Sequence, residues 1–189
     1  MNLLLIILLS YFLGSLPTAY LFSRWFYRED IRSQGSGNVG TLNFLRVTRS
    51  KFLAVLVLLI DAGKGFLAMW ISREYAAGSL LIFPALAVIC GHIFPVWLKG
   101  RGGRGLATLA GVFLFVEAAA VGIWWIIFGV LYLLTKKYIL SGVAALFLVN
   151  IFIAYLWGTE IFLVSSAASV LVAFKYIPRL KQELSISQP

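Results

Sequence analysis

The sequence predicts an all-α integral membrane protein, and three observations predict it. Of 189 residues, 61% are hydrophobic and only 12% charged, and the mean hydropathy is +0.96, whereas a soluble domain is nearer half apolar and a quarter charged. The apolar residues gather in long stretches, and the 16 Lys and Arg against 7 Asp and Glu give a net charge of +9. In a chain with so few ionisable groups, that excess must crowd at the membrane faces or line a cavity. Nucleic acid is a poor partner for a chain mostly immersed in lipid; anionic lipids and phosphorylated small molecules fit better.

In chain order, the apolar stretches run over Leu3–Phe22, Phe52–Ser72, Ser79–Leu98, Leu106–Leu134, Ile139–Trp157 and Ile161–Phe174. The first resembles a signal peptide but lacks a basic leading region, and its hydrophobicity resumes past Pro17, so it is expected to be the first span. The fourth stretch has 29 residues, which as one helix would be roughly 44 Å long against a hydrocarbon thickness of about 30 Å. Glu117 interrupts it. The positive-inside rule decides how to divide it. With a turn at Glu117, 14 basic residues fall on one side, with Arg73 alone opposite and Lys64 within a span; with one long span the split is 9 to 6.

Seven spans are therefore expected in one membrane domain over residues 1–189, at about 3–24, 52–72, 79–98, 105–116, 118–135, 139–157 and 160–174, with the amino terminus outside and the carboxyl terminus cytoplasmic. The fourth, at roughly 18 Å as a helix, cannot cross a bilayer. Its start must then be sunk in the protein, its positive end available to an anion and its irregular backbone lining a polar cavity. Only Ser185–Pro189 reads as a frayed tail.

Two segments on the cytoplasmic side depart from hydrophobic filler. One is Gly35-Ser36-Gly37-Asn38-Val39-Gly40-Thr41-Leu42-Asn43-Phe44-Leu45-Arg46, and the other Lys99-Gly100-Arg101-Gly102-Gly103-Arg104-Gly105 with Thr108 beyond it. Glycines let backbone N–H groups turn toward an anion, Ser, Thr and Asn add neutral donors, and Arg offers a fork to phosphate. Either segment alone is compatible with a tight turn whose arginines merely obey the inside rule. Two on one face, one opening a helix too short to span, favour a phosphate cradle.

Asp61 and Lys64 share one helical face, with Asp61 roughly 15 Å deep in its span, where a charge costs at least about 2.5 kcal/mol unless paired or wet. Two readings stand, a structural ion pair or a wall of the same cavity. His92, the sole histidine, lies at a depth suited to the site but also to a structural hydrogen bond. Asn150 and Tyr138 read as helix glue and interfacial anchor. One His, one Cys and seven scattered acids form no metal-ligand pattern, so neither metal nor cofactor is expected. Cys90 reads as an inert buried thiol. There is no Gly-x-Ser-x-Gly elbow, the residue five after His92 is Trp97 rather than Asp, and the Gly35, Gly37, Gly40 pattern follows a membrane span rather than a strand.

Ser36-Gly37-Asn38-Val39-Gly40 with Asn43 and Arg46, then Asp61-x-x-Lys64-Gly65, then Gly91-His92-x-Phe94-Pro95-Val96 leading into Gly102-Gly103-x-Gly105-x-Ala107-Thr108, resembles the PlsY-type acyl-phosphate:glycerol-3-phosphate acyltransferases of the bacterial inner membrane. The likeness covers most of the chain in order and spacing. It implies seven spans, a site facing the cytoplasm, and acyl transfer from acyl phosphate to the 1-hydroxyl of glycerol 3-phosphate, giving lysophosphatidic acid for phospholipid synthesis. On this resemblance Ser36, Gly37, Asn38, Arg46, Arg101 and Arg104, with the Gly102-Gly103 backbone, are expected at phosphates. Asn43 and Thr108 are expected to orient the substrates, and Asp61, Lys64 and His92 to form a supporting polar shell.

The sequence departs from that family in three places. Arg101 and Arg104 stand where lysines are usual, replacing a compact ammonium with a planar fork. Leu42 stands where a hydroxyl is usual. The tail Lys175-Tyr176-Ile177-Pro178-Arg179-Leu180 lacks the usual His and Asn. A diverged member with another acceptor or without turnover, or a small transporter or flippase of phosphorylated lipids, are the alternative classes. A transporter would be expected to have repeated halves, and none is visible. Nothing in the sequence assigns an oligomeric state.

Overall fold

A computed structural model describes residues 2–185, and among them every regular element is helical. The first apolar stretch is two helices, α1 (Leu3–Ser15) and α2 (Thr18–Tyr27), rather than one. The break falls at Leu16 and Pro17: proline supplies no N–H and biases the residue before it away from helix, and Leu16 is extended at φ −62°, ψ 112°. A loop containing one 3₁₀ turn, Ile31–Ser33, leads to the short α3 (Thr41–Thr48) and then to α4 (Lys51–Ser72). Ser50 starts α4 by accepting the Leu53 N–H.

After α5 (Ile82–Ile93) and a 3₁₀ turn at Val96–Leu98 comes α6 (Leu106–Val116), 11 residues long and therefore about 16 Å. Glu117 ends it and also begins α7 (Ala118–Thr135), accepting the Ala119 N–H through its side chain. The joint is a single residue, where the sequence expected the turn. α8 (Tyr138–Trp157) and α9 (Thr159–Ser185) complete the chain.

The last span was expected to finish at residue 174, but α9 continues to Ser185 with Pro178 inside it. Apolarity stops at Phe174, yet the following Lys, Arg, Gln, Glu and Leu are good helix formers. Glu183 also holds this extension in place: its carboxylate accepts the N–H groups of Ile139 (2.9 Å) and Leu140 (2.8 Å) at the start of α8. Of the expected frayed tail, Ser185 is the last helical residue, and residues 186–189 lie outside the described part.

Among the described residues, six helical segments are long and apolar enough to cross a membrane: 3–27 (α1 with α2), 51–72, 78–98, 118–135, 138–157 and 159–185; α6 is the shorter apolar helix between them. Two interfaces are close because glycine lets backbones meet. A Cβ on Gly14 would stand 2.0 Å from the Val88 carbonyl oxygen and one on Gly91 2.1 Å from that of Tyr11, joining α1 to α5. Likewise, a Cβ on Gly65 would stand 2.0 Å from the Thr108 oxygen and one on Gly111 1.8 Å from that of Ala62, joining α4 to α6. Lipid tails are as apolar as leucine, so such contact, rather than hydrophobic burial, associates helices. Met69, Val88, Ile89, Leu109 and Val112 fill the core between these pairs.

Candidate active site

Asn43 organises the first glycine loop. It is buried in α3, its side-chain oxygen accepts the Ser36 N–H at 2.8 Å, and its amide donates to the carbonyls of Ile31 (3.2 Å) and Gln34 (3.1 Å). Its side-chain amide is thus engaged in holding the loop. Gly35 and Gly37 take φ of 58° and 69°, which side chains rarely adopt, and so carry the loop over Asn43. The loop is pinned below by Asp30, which accepts from the Arg32 backbone N–H and guanidinium. That hydrogen bonding holds the Asp30 carboxyl at about 2, well under its ordinary range.

The second loop folds back on the end of α5. Gly102 N–H donates to the Ile93 carbonyl and Gly103 N–H to that of His92, both at 3.1 Å. These are the two N–H groups expected to face phosphate; each is already engaged by backbone, so they set the loop's path instead. The approach is tight, since a Cβ on Gly102 would meet the His92 oxygen at 2.1 Å and one on Gly103 the His92 Nε2 at 2.1 Å. Gly105, at φ 86°, then starts α6 with no side-chain cap, and Gly105, Leu106 and Ala107 line a cavity. A helix N-terminus left open in this way favours an anion.

That cavity, about 270 Å³, has Leu58, Leu109, Phe113, Val121 and Trp124 among its apolar walls. Asn38, Asp61, His92, Arg104, Tyr138 and Tyr176 also line it. It adjoins a polar basin of about 320 Å³ that shares Asn38, Leu42, Arg104 and Tyr138 with it and adds Ser36, Asn43, Arg46 and Arg179. Arg104 is half-buried where the two meet, its guanidinium 5.2 Å from the centre of the Tyr176 ring. Burial, followed by the repulsion of Arg179 and Arg46, lowers its pKa from the ordinary value, with Tyr176 acting the other way. An anion placed there would relieve both effects.

Asp61 and Lys64 form a buried ion pair at 2.6 Å. Asp61 also accepts from the Thr18 hydroxyl at 3.0 Å, Lys64 donates to the Leu16 carbonyl at the break in the first span, and His92 Nδ1 lies 3.8 Å from Asp61. Both readings of the pair hold in part. Lys64 secures helices, whereas Asp61 and His92 also reach the cavity wall.

Of the expected residues, the structure thus gathers Ser36, Asn38, Asn43, Arg46, Asp61, His92 and Arg104 around the cavity and basin. Gly37 shapes the loop behind them. Two are placed elsewhere. Arg101 is exposed and lines a separate groove, whereas Arg104, three residues on, lines the cavity. Thr108 is fully buried, with its backbone oxygen against Gly65.

Other residues were not singled out from sequence. Tyr176 and Arg179 arrive on the unexpected extension of α9, and Thr41 and Trp124 line the cavity. Among the described residues, Thr41 Oγ1, Thr108 Oγ1, Trp124 Nε1 and Asn150 Oδ1 are buried without a hydrogen-bond partner, and of these Thr41 and Trp124 line the cavity. A Thr following a glycine loop and a Trp within an apolar span carry no distinguishing signal, but the basic spacing of Lys175 and Arg179 on a continued helix did.

A model of the glycerol-3-phosphate acyltransferase family matches residues 4–185. A glycerol-3-phosphate acyltransferase of Prochlorococcus marinus (strain MIT 9515) is 38% identical over 189 residues, covering 95% of this chain and 92% of its own. One of Syntrophomonas wolfei subsp. wolfei is 42% identical over 123 residues, covering 65% of this chain and 63% of its own. The fold matches that of the crystal structure of PlsY (YgiH), an integral membrane glycerol 3-phosphate acyltransferase, in its glycerol 3-phosphate form, with a TM-score of 0.86 at 24% identity over 99% of this chain and 94% of that one. The lysophosphatidic acid form of the same protein matches with a TM-score of 0.85. The family model over residues 4–185, together with a relative 38% identical along nearly the whole chain, places this chain in the glycerol-3-phosphate acyltransferase family, and it is an acyltransferase.

Proposed function

We propose that the chain transfers a fatty acyl group from acyl phosphate to the 1-hydroxyl of glycerol 3-phosphate, releasing lysophosphatidic acid and inorganic phosphate in bacterial phospholipid synthesis. The observation that carries this reading is the junction at Arg104, where an apolar cavity becomes a basin with three arginines, Arg46, Arg104 and Arg179. One substrate has a long tail and a phosphate, the other is small and anionic, and a single continuous space with these two halves suits both. Structures of the related PlsY with glycerol 3-phosphate and with lysophosphatidic acid support the same pairing of substrate and product.

Acyl phosphate is a mixed anhydride, so the protein's task is positioning, charge stabilisation and exclusion of water. The 1-hydroxyl oxygen attacks the acyl carbonyl carbon, an ester bond forms, and the bond from that carbon to the phosphate oxygen breaks. The hydroxyl proton passes to a phosphate oxygen, so no protein base is needed. In this reading Arg104 and the open N-terminus of α6 neutralise the leaving phosphate. Arg46, Arg179 and Ser36 hold the phosphate of the acceptor, and Asn38 bridges the two.

The site faces the cytoplasm in a seven-span inner-membrane topology with the amino terminus outside. This reading is supported by the short α6 among six span-length segments and by the 14 basic residues that fall on one side when the chain is divided at Glu117. The test is acyl transfer by the purified chain supplied with acyl phosphate and radiolabelled glycerol 3-phosphate. Wild type should form labelled lysophosphatidic acid, and Arg104→Ala should lower kcat/KM by about a hundredfold, the usual cost of removing one preorganised donor. No labelled product from wild type, or equal rates from both, would overturn the proposal.

A further inference from the structure

Away from the cavity, a second concavity of about 750 Å³ lies between the break in the first span and the loop after α5. Its walls are ordered by chemistry. Leu16, Leu21 and Trp97 supply apolar surface, Tyr20 an aromatic ring, and Arg32, Lys99 and Arg101 positive charge; none of the lining residues is acidic. The break at Pro17 opens the space, since a continuous helix would carry its side chains across it.

The cations are not equivalent. Arg32 is compensated by Asp30 at 2.6 Å and stacks 5.0 Å over the Tyr20 ring, so it forms a fixed wall. Lys99 and Arg101 are exposed. Trp97, 59% exposed, is held by its indole N–H donating to the Ser15 hydroxyl at 2.9 Å and by the Phe12 ring 6.2 Å away. An oriented indole beside tyrosine, with cations just beyond, is how proteins meet the headgroup layer of a bilayer.

We propose that this groove binds the headgroup of an anionic membrane phospholipid, with its phosphate between Lys99 and Arg101 and its upper acyl segments along Leu16, Leu21 and Trp97. Charge complementarity selects an anionic lipid over a zwitterionic one, and the adjoining apolar wall selects a lipid over a free anion. The groove shares its loop with the cavity. Arg101 serves one side and Arg104 the other, and the Gly102 and Gly103 N–H groups tie that loop to α5 between them. A bound lipid therefore adds a hold on the segment that carries Arg104. The inference rests on the membrane setting and not on the acyl-transfer reading, so failure of the activity assay would leave it standing.

The test uses the full chain in nanodiscs, with Trp97 fluorescence quenched by chain-brominated phosphatidylglycerol or chain-brominated phosphatidylcholine; Trp97→Phe isolates the contribution of that indole. Phosphatidylglycerol should quench at several-fold lower mole fraction, and Lys99→Gln and Arg101→Gln, singly and together, should reduce the preference by about fivefold per cation removed. Lys51→Gln, which removes a charge from the same end of the bundle outside the groove, should leave the preference unchanged. Equal quenching by the two lipids, or an unaltered preference in the double variant, would overturn the proposal. Abolition of the preference by millimolar inorganic phosphate at constant ionic strength would also overturn it, by identifying an anion site instead.

Discussion

Asp61 illustrates how a single residue can tie helices together and line a cavity at once. Its carboxylate accepts from Lys64 and Thr18 while facing the cavity beside His92. Taking the charge from Asp61 leaves the buried Lys64 ammonium with backbone dipoles alone, and breaking a buried pair in this way costs about 3 kcal/mol or more. Asp61→Asn should thus lower the thermal unfolding midpoint in detergent, with a smaller drop when Lys64→Met is added, because the second change removes the stranded charge. An unchanged midpoint for the single variant would refute the structural role. The pair was legible in the sequence from its three-residue spacing, since those positions share a helix face. Thr18 was not, because contact between the first span and α4 depends on where Pro17 breaks the helix. The same limit applies to the arginines. Arg46, Arg101 and Arg104 were legible together as basic residues beside glycine-rich loops, but only the fold of the loop separates Arg104 in the cavity from Arg101 in the groove.

At the scale of elements, α6 depends on α4. Gly65 and Gly111 bring the two backbones together so that Gly105 and the first turn of α6 stand at the cavity. Gly65→Ala places a methyl group against the Thr108 oxygen, and overpacking of this kind costs about 1–3 kcal/mol. Because the shift falls on α6, the variant should lose acyl-transfer activity as well as stability. Gly63→Ala, in the same helix with nothing within 4 Å of an added Cβ, should be neutral or stabilising by up to about 1 kcal/mol. Paired thermal-unfolding and activity measurements check this, and equal behaviour of the two variants would contradict the packing account. The short α6 and the turn at Glu117 were readable from length and charge sidedness. The continuation of α9 past Phe174 was not, because a hydropathy count ends where lipid contact ends, while Glu183 keeps the helix going by bonding to α8.

For the molecule as a whole, the seven-span topology expects every arginine of the basin on the cytoplasmic side. Fusions of a reporter that is active only in the cytoplasm should therefore be active after Ser185 and inactive after Ser79, in the segment between α4 and α5. A silent C-terminal fusion with an active one at Ser79 would invert the orientation. A silent fusion at both would require an odd span to be lost, with α6 and α7 counted together. The charge count bears on topology and on the proposed site through the same residues: Arg46 and Arg104 count toward the basic side and also line the basin. The cavity itself was not legible, since it is defined by the walls of helices distant in sequence, such as Trp124 of α7 and Leu58 of α4.

The break at Leu16 and Pro17 also bears on how the chain enters the membrane. Within hydrocarbon a freed carbonyl must find a donor, and Leu16 finds one in Lys64, whose own charge is answered by Asp61, itself bonded to Thr18 beside the break. Neither the first span nor α4 can settle alone without stranding a polar group in lipid. Biogenesis should therefore hold the first span at the insertion machinery until α4 has been synthesised, and release the two as one hairpin.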